Sequence, residues 1–137
     1  MPVPILTYHL VTDNFDLGFA RTSLEQFNKQ MAWLHENGYQ TLTVAGYLKM
    51  LQKQQLASTN HKYIVLTFDD AYASIDAAAE IMEKYAFAGT CFAIGDYIGR
   101  QHSWDYQLFV CKHENASAAC LIGLLYMGWD IGSHSYR

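Results

Sequence analysis

Short apolar runs alternate with helical patterns along the whole chain. Residues 3–11 (VPILTYHLV) and 62–68 (KYIVLTF) are apolar runs of strand length, and we expect both to be buried strands. Three more strands are predicted at 39–42, 90–94 and 129–133. The stretches between strands are long enough for the crossover connections that parallel neighbours need. The pattern therefore predicts an α/β protein with about five mainly parallel strands and flanking helices.

Apolar residues between the first two strands recur at helical spacing. Ser23 is predicted to cap this helix together with Gln26, in the arrangement of a capping box. The apolar face of the helix is formed by Leu24, Phe27, Met31 and Leu34. Gly38 is placed to end the helix in a left-handed conformation. The same reasoning predicts a packed helix between strands one and two.

Further helices are predicted after Thr43, over 74–85, and on both sides of a break at Glu114-Asn115. The two segments flanking the break are residues 103–113 and 116–127. Three aromatic residues are predicted to pack in the core: Trp33, Tyr39 and Phe92.

Composition narrows the class of protein. The 137 residues are 51% hydrophobic and 15% aromatic, which indicates one packed domain and excludes disorder. The net charge of −4 and the absence of a Lys/Arg cluster argue against a nucleic-acid partner. No apolar run approaches the roughly 20 residues of a membrane helix, and the N-terminus does not resemble a signal peptide. A complete (β/α)₈ barrel takes about 250 residues, so only part of one is expected here.

Two adjacent carboxylates follow the most apolar strand. Asp69 and Asp70 stand where it ends, and side chains at the carboxyl ends of parallel strands build the sites of α/β proteins. Neighbouring strand residues point to opposite faces, so the two aspartates are expected to have different roles. One would be an oxygen ligand to a divalent metal and the other would stay unligated. The alternative is that the pair only opens a loop or caps a helix.

A histidine follows the last predicted strand. His134 and Asp70 would therefore project from the same rim of the sheet, and imidazole nitrogen with carboxylate oxygen suits zinc and similar ions. Ser133 and Ser135 are placed to orient the ring. The alternative is a histidine in a polar loop without a role. Two ligands are also one fewer than a catalytic zinc site usually has.

These motifs resemble those of the polysaccharide deacetylases, the NodB-homology domains of carbohydrate esterase family four. The resemblance rests on TFDD, on IGSHS, and on the VPILTYH, LHENGYQTLT and GTCFAIGDYIG segments. SW at 103–104 resembles the start of the helix before the histidine motif. The resemblance implies the N-terminal part of a distorted (β/α) barrel, with residues 1–137 forming one partial domain. It also implies a location in the cell envelope or outside the cell.

The resemblance assigns roles to individual residues. It implies that Asp69 is the catalytic base and that Asp70 and His134 bind a divalent metal, zinc above all, with cobalt or nickel as alternatives. Ser135 matches the hydroxyl residue of the histidine motif, whose second metal-binding histidine would follow Arg137. In the family, metal-activated water removes N-acetyl groups from chitin, peptidoglycan or poly-N-acetylglucosamine. Ala71 stands where the family usually has glycine, so a positive φ there would carry a cost.

Three further residues are candidates for substrate binding. His9 ends the first strand on the presumed active rim, with a hydrogen-bonded structural role as the alternative. Tyr97 and Trp104 fall in or near a loop region where aromatic rings can stack on sugars.

Two other functions remain open from the sequence. One is a truncated deacetylase-like module that binds carbohydrate or a partner chain without turnover. The other is a different α/β metalloprotein that completes its metal site with a ligand from another subunit. A partial barrel leaves a sheet edge uncovered, so we expect either that copies of the chain associate through that edge or that the chain is part of a longer protein.

Overall fold

The computed structural model describes residues 3–14, 20–57, 60–101 and 113–136. The strands are β1 (Ile5–Tyr8), β2 (Leu10–Val11), β3 (Arg21–Thr22), β4 (Tyr39–Leu42), β5 (Lys62–Asp69), β6 (Thr90–Ile94) and β7 (Asp130–Ser135). The α-helices are α1 (Leu24–Glu36), α2 (Val44–Gln52), α3 (Ile75–Glu83) and α4 (Ala118–Tyr126). Single turns of 3₁₀-helix lie at Gln55–Ala57 and Gly95–Tyr97. No helix in these ranges is long and apolar enough to cross a membrane.

Five strands form one sheet in which every pairing is parallel. β1 and β6 both pair with Thr67 and Phe68 of β5, so they lie on opposite edges of that strand. β4 pairs with the first half of β5 and lies on the same edge as β6, because β4 and β1 share Val65 as a partner. β7 pairs with the far edge of β6. The predicted parallel α/β sheet is confirmed, and the carboxyl ends of β1, β5, β6 and β7 meet at one rim.

The first predicted strand is divided and only partly buried, contrary to expectation: Tyr8, Leu10 and Val11 are buried. Only Ile5–Tyr8 joins the main sheet, and after His9 the chain pairs with β3 instead of β5. Ile5 is 53% exposed, and Leu6 is exposed as well. β1 has a strand neighbour on one edge only among the described residues, so its aliphatic side chains are covered less than those of β5.

Helical spacing identified the core correctly. Phe27, Met31 and Leu34 of α1 are buried, and α3 buries Ile75, Ala78, Ala79, Ile81 and Met82. These side chains pack with Leu66, Phe68 and Trp129 in one cluster. Trp33, in contrast, is 57% exposed, because it lies off the stripe that Phe27, Met31 and Leu34 define around α1. Tyr39 and Phe92 are half-buried.

The helix before the last strand, α4, corresponds to the second of the two segments predicted around the break at Glu114-Asn115. α4 begins at Ala118, and the Ser117 hydroxyl accepts a hydrogen bond from the Cys120 amide at 3.2 Å. Ser103 and Trp104 lie outside the described residues, so the predicted helix at 103–113 is not tested. The predicted helix at 116–127 is confirmed. A serine N-cap followed by a continuous apolar run therefore marked the start of this helix in the sequence.

Candidate active site

The chain turns sharply at the end of β5. Asp69 is the last residue of the strand, and Asp70 and Ala71 then adopt φ angles of 66° and 49°. Asp70 is therefore outside the strand, and the alternation expected to separate the two aspartates does not apply to it. The left-handed turn separates them in another way, because each carboxylate faces a different histidine.

Asp70 lies against His134. The Nδ1 atom of His134 is 2.8 Å from Oδ1 of Asp70, which is hydrogen-bond distance. The Asp70 side chain is 13% exposed and that of His134 is 44% exposed, so the pair opens to solvent on the histidine side. The parallel sheet brings together two residues that are 64 positions apart, from the ends of β5 and β7.

A register shift places His134 at this position. Ala93 of β6 pairs with Ser133 and the next residue, Ile94, pairs with Ser135, so His134 is the extra residue of an irregularity in β7. Such bulges redirect side chains beside active sites. Ser135 lies in the ladder opposite Ile94, and its role in orienting the His134 ring stays a prediction.

Asp69 faces a second histidine. Its Oδ2 atom is 3.9 Å from Nε2 of His9, which follows β1. This distance is too long for a hydrogen bond and is at the outer limit of an ion pair. Both side chains are partly exposed, so water can reach the Asp69 carboxylate. The rim thus carries two carboxylate–histidine pairs side by side.

Sequence reasoning missed the residue that contacts the backbone of this turn. The side-chain amide of Asn115 donates a hydrogen bond to the Asp70 carbonyl, and Asn115 is only 4% exposed. The next amide, that of Ala116, donates to the Ala71 carbonyl at 2.7 Å. The available signal was the break between two predicted helices at Glu114-Asn115, but a break does not reveal a partner so far away in the sequence.

Tyr97, one of the two aromatic candidates, lies beside the rim of the site. Tyr97 is half-buried and ends the 3₁₀ turn that follows β6. Within that turn the Asp96 amide donates to the Tyr136 carbonyl at 3.0 Å, which places the turn beside the end of β7 and on the rim of the site. Trp104 lies outside the described residues. Contact of either ring with a sugar stays a prediction.

Burial leaves the nearby thiols unreactive. Burial raises the pKa of Cys91 to about 12, and the negative charge of Asp69 adds to the effect. The pKa of Cys120 is raised to about 12 by burial and by its hydrogen bond to Asp76. Because the thiolate is the nucleophilic form, neither cysteine is a nucleophile at neutral pH. Among the described residues of this rim, carboxylates and imidazoles therefore remain as the candidates for chemistry.

Asp70 and His134 suit a divalent metal as two of its ligands. A carboxylate oxygen and an imidazole nitrogen bound to tetrahedral zinc at about 2.0–2.2 Å would lie about 3.3 Å apart. The observed 2.8 Å between these atoms differs from that spacing by a small side-chain movement. Across the described ranges, no group of three or more His, Cys, Asp and Glu side chains could hold an ion. The pair therefore fits a metal and does not complete its coordination.

Comparisons with known proteins point to one family. The model of the polysaccharide deacetylase family matches residues 56–137. YxkH of Bacillus subtilis (strain 168), which is named for the polysaccharide deacetylases, is 38% identical over 101 residues, covering 73% of this chain and 34% of YxkH.

Solved structures agree on the fold. A polysaccharide deacetylase from Bacillus cereus superimposes with a TM-score of 0.74 at 24% identity, over 98% of this chain and 39% of that chain. IcaB from Ammonifex degensii gives 0.76 at 21% identity, over 98% of this chain and 53% of that one. The Streptococcus pyogenes deacetylase PplD, in complex with acetate, gives 0.72 at 21% identity, over 96% and 55%.

The chain spans about a third of the curated relative and 39–55% of these solved chains. The predicted fold class, an α/β part of the NodB-type barrel, is confirmed. The family model and the curated relative confirm the resemblance seen in the sequence. This chain belongs to the polysaccharide deacetylase family.

Proposed function

We propose that this chain carries part of the active site of a metal-dependent hydrolase that removes N-acetyl groups from an N-acetylglucosamine-type polysaccharide. Chitin, peptidoglycan and poly-N-acetylglucosamine are the candidate substrates. The observation that carries the proposal is the contact between Asp70 and His134, with Asp69 beside it, at the rim of the parallel sheet. Family membership supports deacetylation of a polysaccharide in general.

Asp70 and His134 would hold the metal, for which zinc is the first candidate and cobalt or nickel the alternatives. When bound, a divalent ion polarises the acetyl carbonyl and lowers the pKa of water. Asp70 is well placed to hold a cation because its carboxylate is mostly buried and its backbone is held by hydrogen bonds.

Asp69 would act as the general base. Its carboxylate is partly exposed and lies next to Asp70 in the chain, so it can accept a proton from attacking water. His9, 3.9 Å from this carboxylate, would contact the substrate at the edge of the site. Tyr97 and Trp104 are proposed to stack on sugar rings.

A second function is favoured by the incomplete ligand set. The described residues bring together two ligands and no third, and the chain spans only part of its relatives. The second candidate is therefore a module that binds carbohydrate or a partner chain without turnover. We propose that residues 1–137 form one partial deacetylase domain. Association of copies through the exposed sheet edge stays a prediction.

Metal binding tests the ligand assignment. We expect calorimetry to show one Co²⁺ or Zn²⁺ bound per wild-type chain, and Asp70→Ala to lose this binding because the ion would lose its only carboxylate ligand. The control is Asp76→Ala, which removes an exposed carboxylate on α3 that accepts a hydrogen bond from Cys120. Unchanged binding by Asp70→Ala would refute the assignment.

Acetate release tests the reaction. In a protein that contains this chain and turns over chitooligosaccharides or peptidoglycan fragments, Asp69→Asn should lower kcat by about 100-fold or more, because the base is lost. Asp76→Asn should retain the wild-type rate. A protein that binds the metal and the glycan but releases no acetate supports the binding module instead.

A further inference from the structure

The segment around Asn115 joins two loops of the site rim. On one side, Asn115 donates its side-chain amide to the Asp70 carbonyl and Ala116 donates its backbone amide to the Ala71 carbonyl. On the other side, the backbone amide of Asn115 donates to the carbonyl of Arg100 at 2.9 Å, in the loop after β6. The segment therefore lies between the turn after β5 and the loop after β6.

The turn needs this support because of its conformation. Asp70 and Ala71 both have positive φ, neither is glycine, and such conformations persist only where the surrounding structure holds them. The hydrogen bonds from Asn115 and Ala116 end on the two carbonyls of these residues. Together they fix the orientation of the Asp70 backbone, and hence the direction in which its carboxylate points.

Because Asn115 is buried, the hydrogen bond from its side chain to the Asp70 carbonyl is not easily replaced by one from water. Asn115 is 4% exposed, so a group there that could not donate would leave the Asp70 carbonyl without this partner and out of reach of bulk water. Ala73 also donates its amide to the Glu114 carbonyl at 2.8 Å, which anchors the segment on the same turn. The contact is long-range, from residue 115 to residue 70, so it does not arise from local turn geometry.

We infer that Asn115 is a positioning residue: its amide holds the turn after β5 so that the Asp70 carboxylate meets His134. The inference deepens the proposed function and rests on it for the role of Asp70 as a metal ligand. Asn115 does not touch substrate or metal in this assignment, and it acts through the backbone of Asp70. Partners that orient metal ligands in this indirect way typically alter metal affinity by about 10–100-fold when they are removed.

The test compares two Asn→Asp substitutions. Asn115→Asp keeps the size of the side chain and replaces the donor that faces the Asp70 carbonyl with an acceptor. Asn37→Asp is the matched control, because the Asn37 amide likewise donates to a backbone carbonyl, that of Trp33 at 2.8 Å, at the exposed end of α1. Asn115→Ala is the second variant, which removes the donor without adding a repulsive oxygen.

Two measurements are made on each folded variant. The first is Co²⁺ affinity by calorimetry, where Asn115→Asp and Asn115→Ala should bind at least tenfold more weakly and Asn37→Asp should match the wild type. The second is the ¹⁵N spectrum of the histidine rings in the metal-free chain, assigned with His134→Gln. The His134 ring signals should shift in both Asn115 variants while those of His35 and His61 stay in place.

The outcomes separate this inference from the proposed function. Folded Asn115 variants with wild-type Co²⁺ affinity and unshifted His134 signals would overturn the inference. Unfolding of both variants would also overturn it, because Asn115 would then determine the fold rather than position Asp70. A wild-type chain that binds no Co²⁺ counts against the proposed function, and the His134 ring signals alone then decide the inference.

Discussion

Ala71 adopts a backbone conformation that is unfavourable for any residue with a side chain. Its φ of 49° lies in the left-handed region, where an L-residue costs roughly 1–2 kcal/mol relative to the right-handed one. The resemblance to the deacetylases already implied glycine at this position. The turn that carries Asp70 is therefore under strain, and neighbouring hydrogen bonds hold it.

Relief of this strain is measurable. Ala71→Gly should change the free energy of unfolding by less than about 1 kcal/mol in urea denaturation, because relief of the positive φ is offset by the loss of a buried methyl group and by the greater entropy of glycine in the unfolded chain. The comparison is Ala86→Gly, at φ 55° on an exposed position after α3, where no buried methyl group is lost and the chain should gain up to about 1 kcal/mol. A loss of stability in both variants would contradict the steric argument.

Individual site residues were predictable in part. Asp69, Asp70 and His134 could be found because each follows an apolar strand, and the parallel sheet then brings strand ends together. The pairing of His9 with Asp69 and the support from Asn115 could not be found, since both depend on loops whose paths no periodicity encodes. The two aspartates have separate surroundings, as predicted. Strand alternation is not the cause, because Asp70 lies in a turn and not in the strand.

At the scale of elements, β7 is the strand whose packing most directly affects the site. Gly132 precedes His134 by two positions and pairs with Phe92 of β6. A Cβ atom at Gly132 would lie 2.6 Å from two atoms of the Phe92 ring, closer than real contacts allow. The ring of Phe92 therefore occupies the space that a side chain at position 132 would need.

Substitution of two glycines tests this packing. Gly132→Ala should lower the free energy of unfolding by about 1–3 kcal/mol, because either the Phe92 ring or β7 must move. Gly123→Ala is the control, since nothing lies within 4 Å of a Cβ there and the residue is in the interior of α4. That variant should gain about 0.5–1 kcal/mol in helix propensity.

The outcome for Gly132→Ala is checked further by Phe92→Leu in the same chain. The smaller side chain should restore part of the lost stability, because it leaves room for the added methyl group. Equal urea midpoints for Gly132→Ala and wild type would show that β7 accommodates a side chain freely.

The positions of helices and strands were more predictable from the sequence than their burial and their neighbours. The positions of α1, β5 and β6 followed from periodicity, because their apolar residues face a shared core. Residues 3–11 were wrongly predicted as one buried strand, since an apolar run does not reveal how many neighbours the strand has. The bulge at His134 was also beyond prediction, because register depends on the partner strand.

At the scale of the whole molecule, buried groups that keep their protons make the stability of the fold depend on pH in the alkaline range. Burial raises the pKa of Cys91 to about 12 and that of Tyr8 to about 12. The folded chain therefore keeps protons that the unfolded chain loses above pH about 9–10. Stability from these groups is fully present below the unfolded pKa values and is lost as pH rises toward the folded values.

We expect the free energy of unfolding to fall between pH 8 and pH 10.5, with about 2 kcal/mol of the fall due to Cys91. Urea denaturation of Cys91→Ala at both pH values should show a correspondingly smaller fall. Val65→Ala is the control for loss of buried volume. It should lower the free energy of unfolding at both pH values by the same amount, so the fall between them stays that of the wild type. Parallel falls in wild type and Cys91→Ala would contradict the assignment.

The bond from Asn115 to the turn bears on how this protein is best produced. Asn115-Ala116-Ser117 is an acceptor sequence for N-linked glycans, yet in the fold the asparagine amide is buried and the serine hydroxyl caps α4. The buried position of that amide leaves no space for a bulky oligosaccharide, so a glycan there would displace the segment that contacts the Asp70 turn. A eukaryotic secretory host can modify the chain before it folds, so production in bacteria preserves the turn that carries the proposed metal ligand.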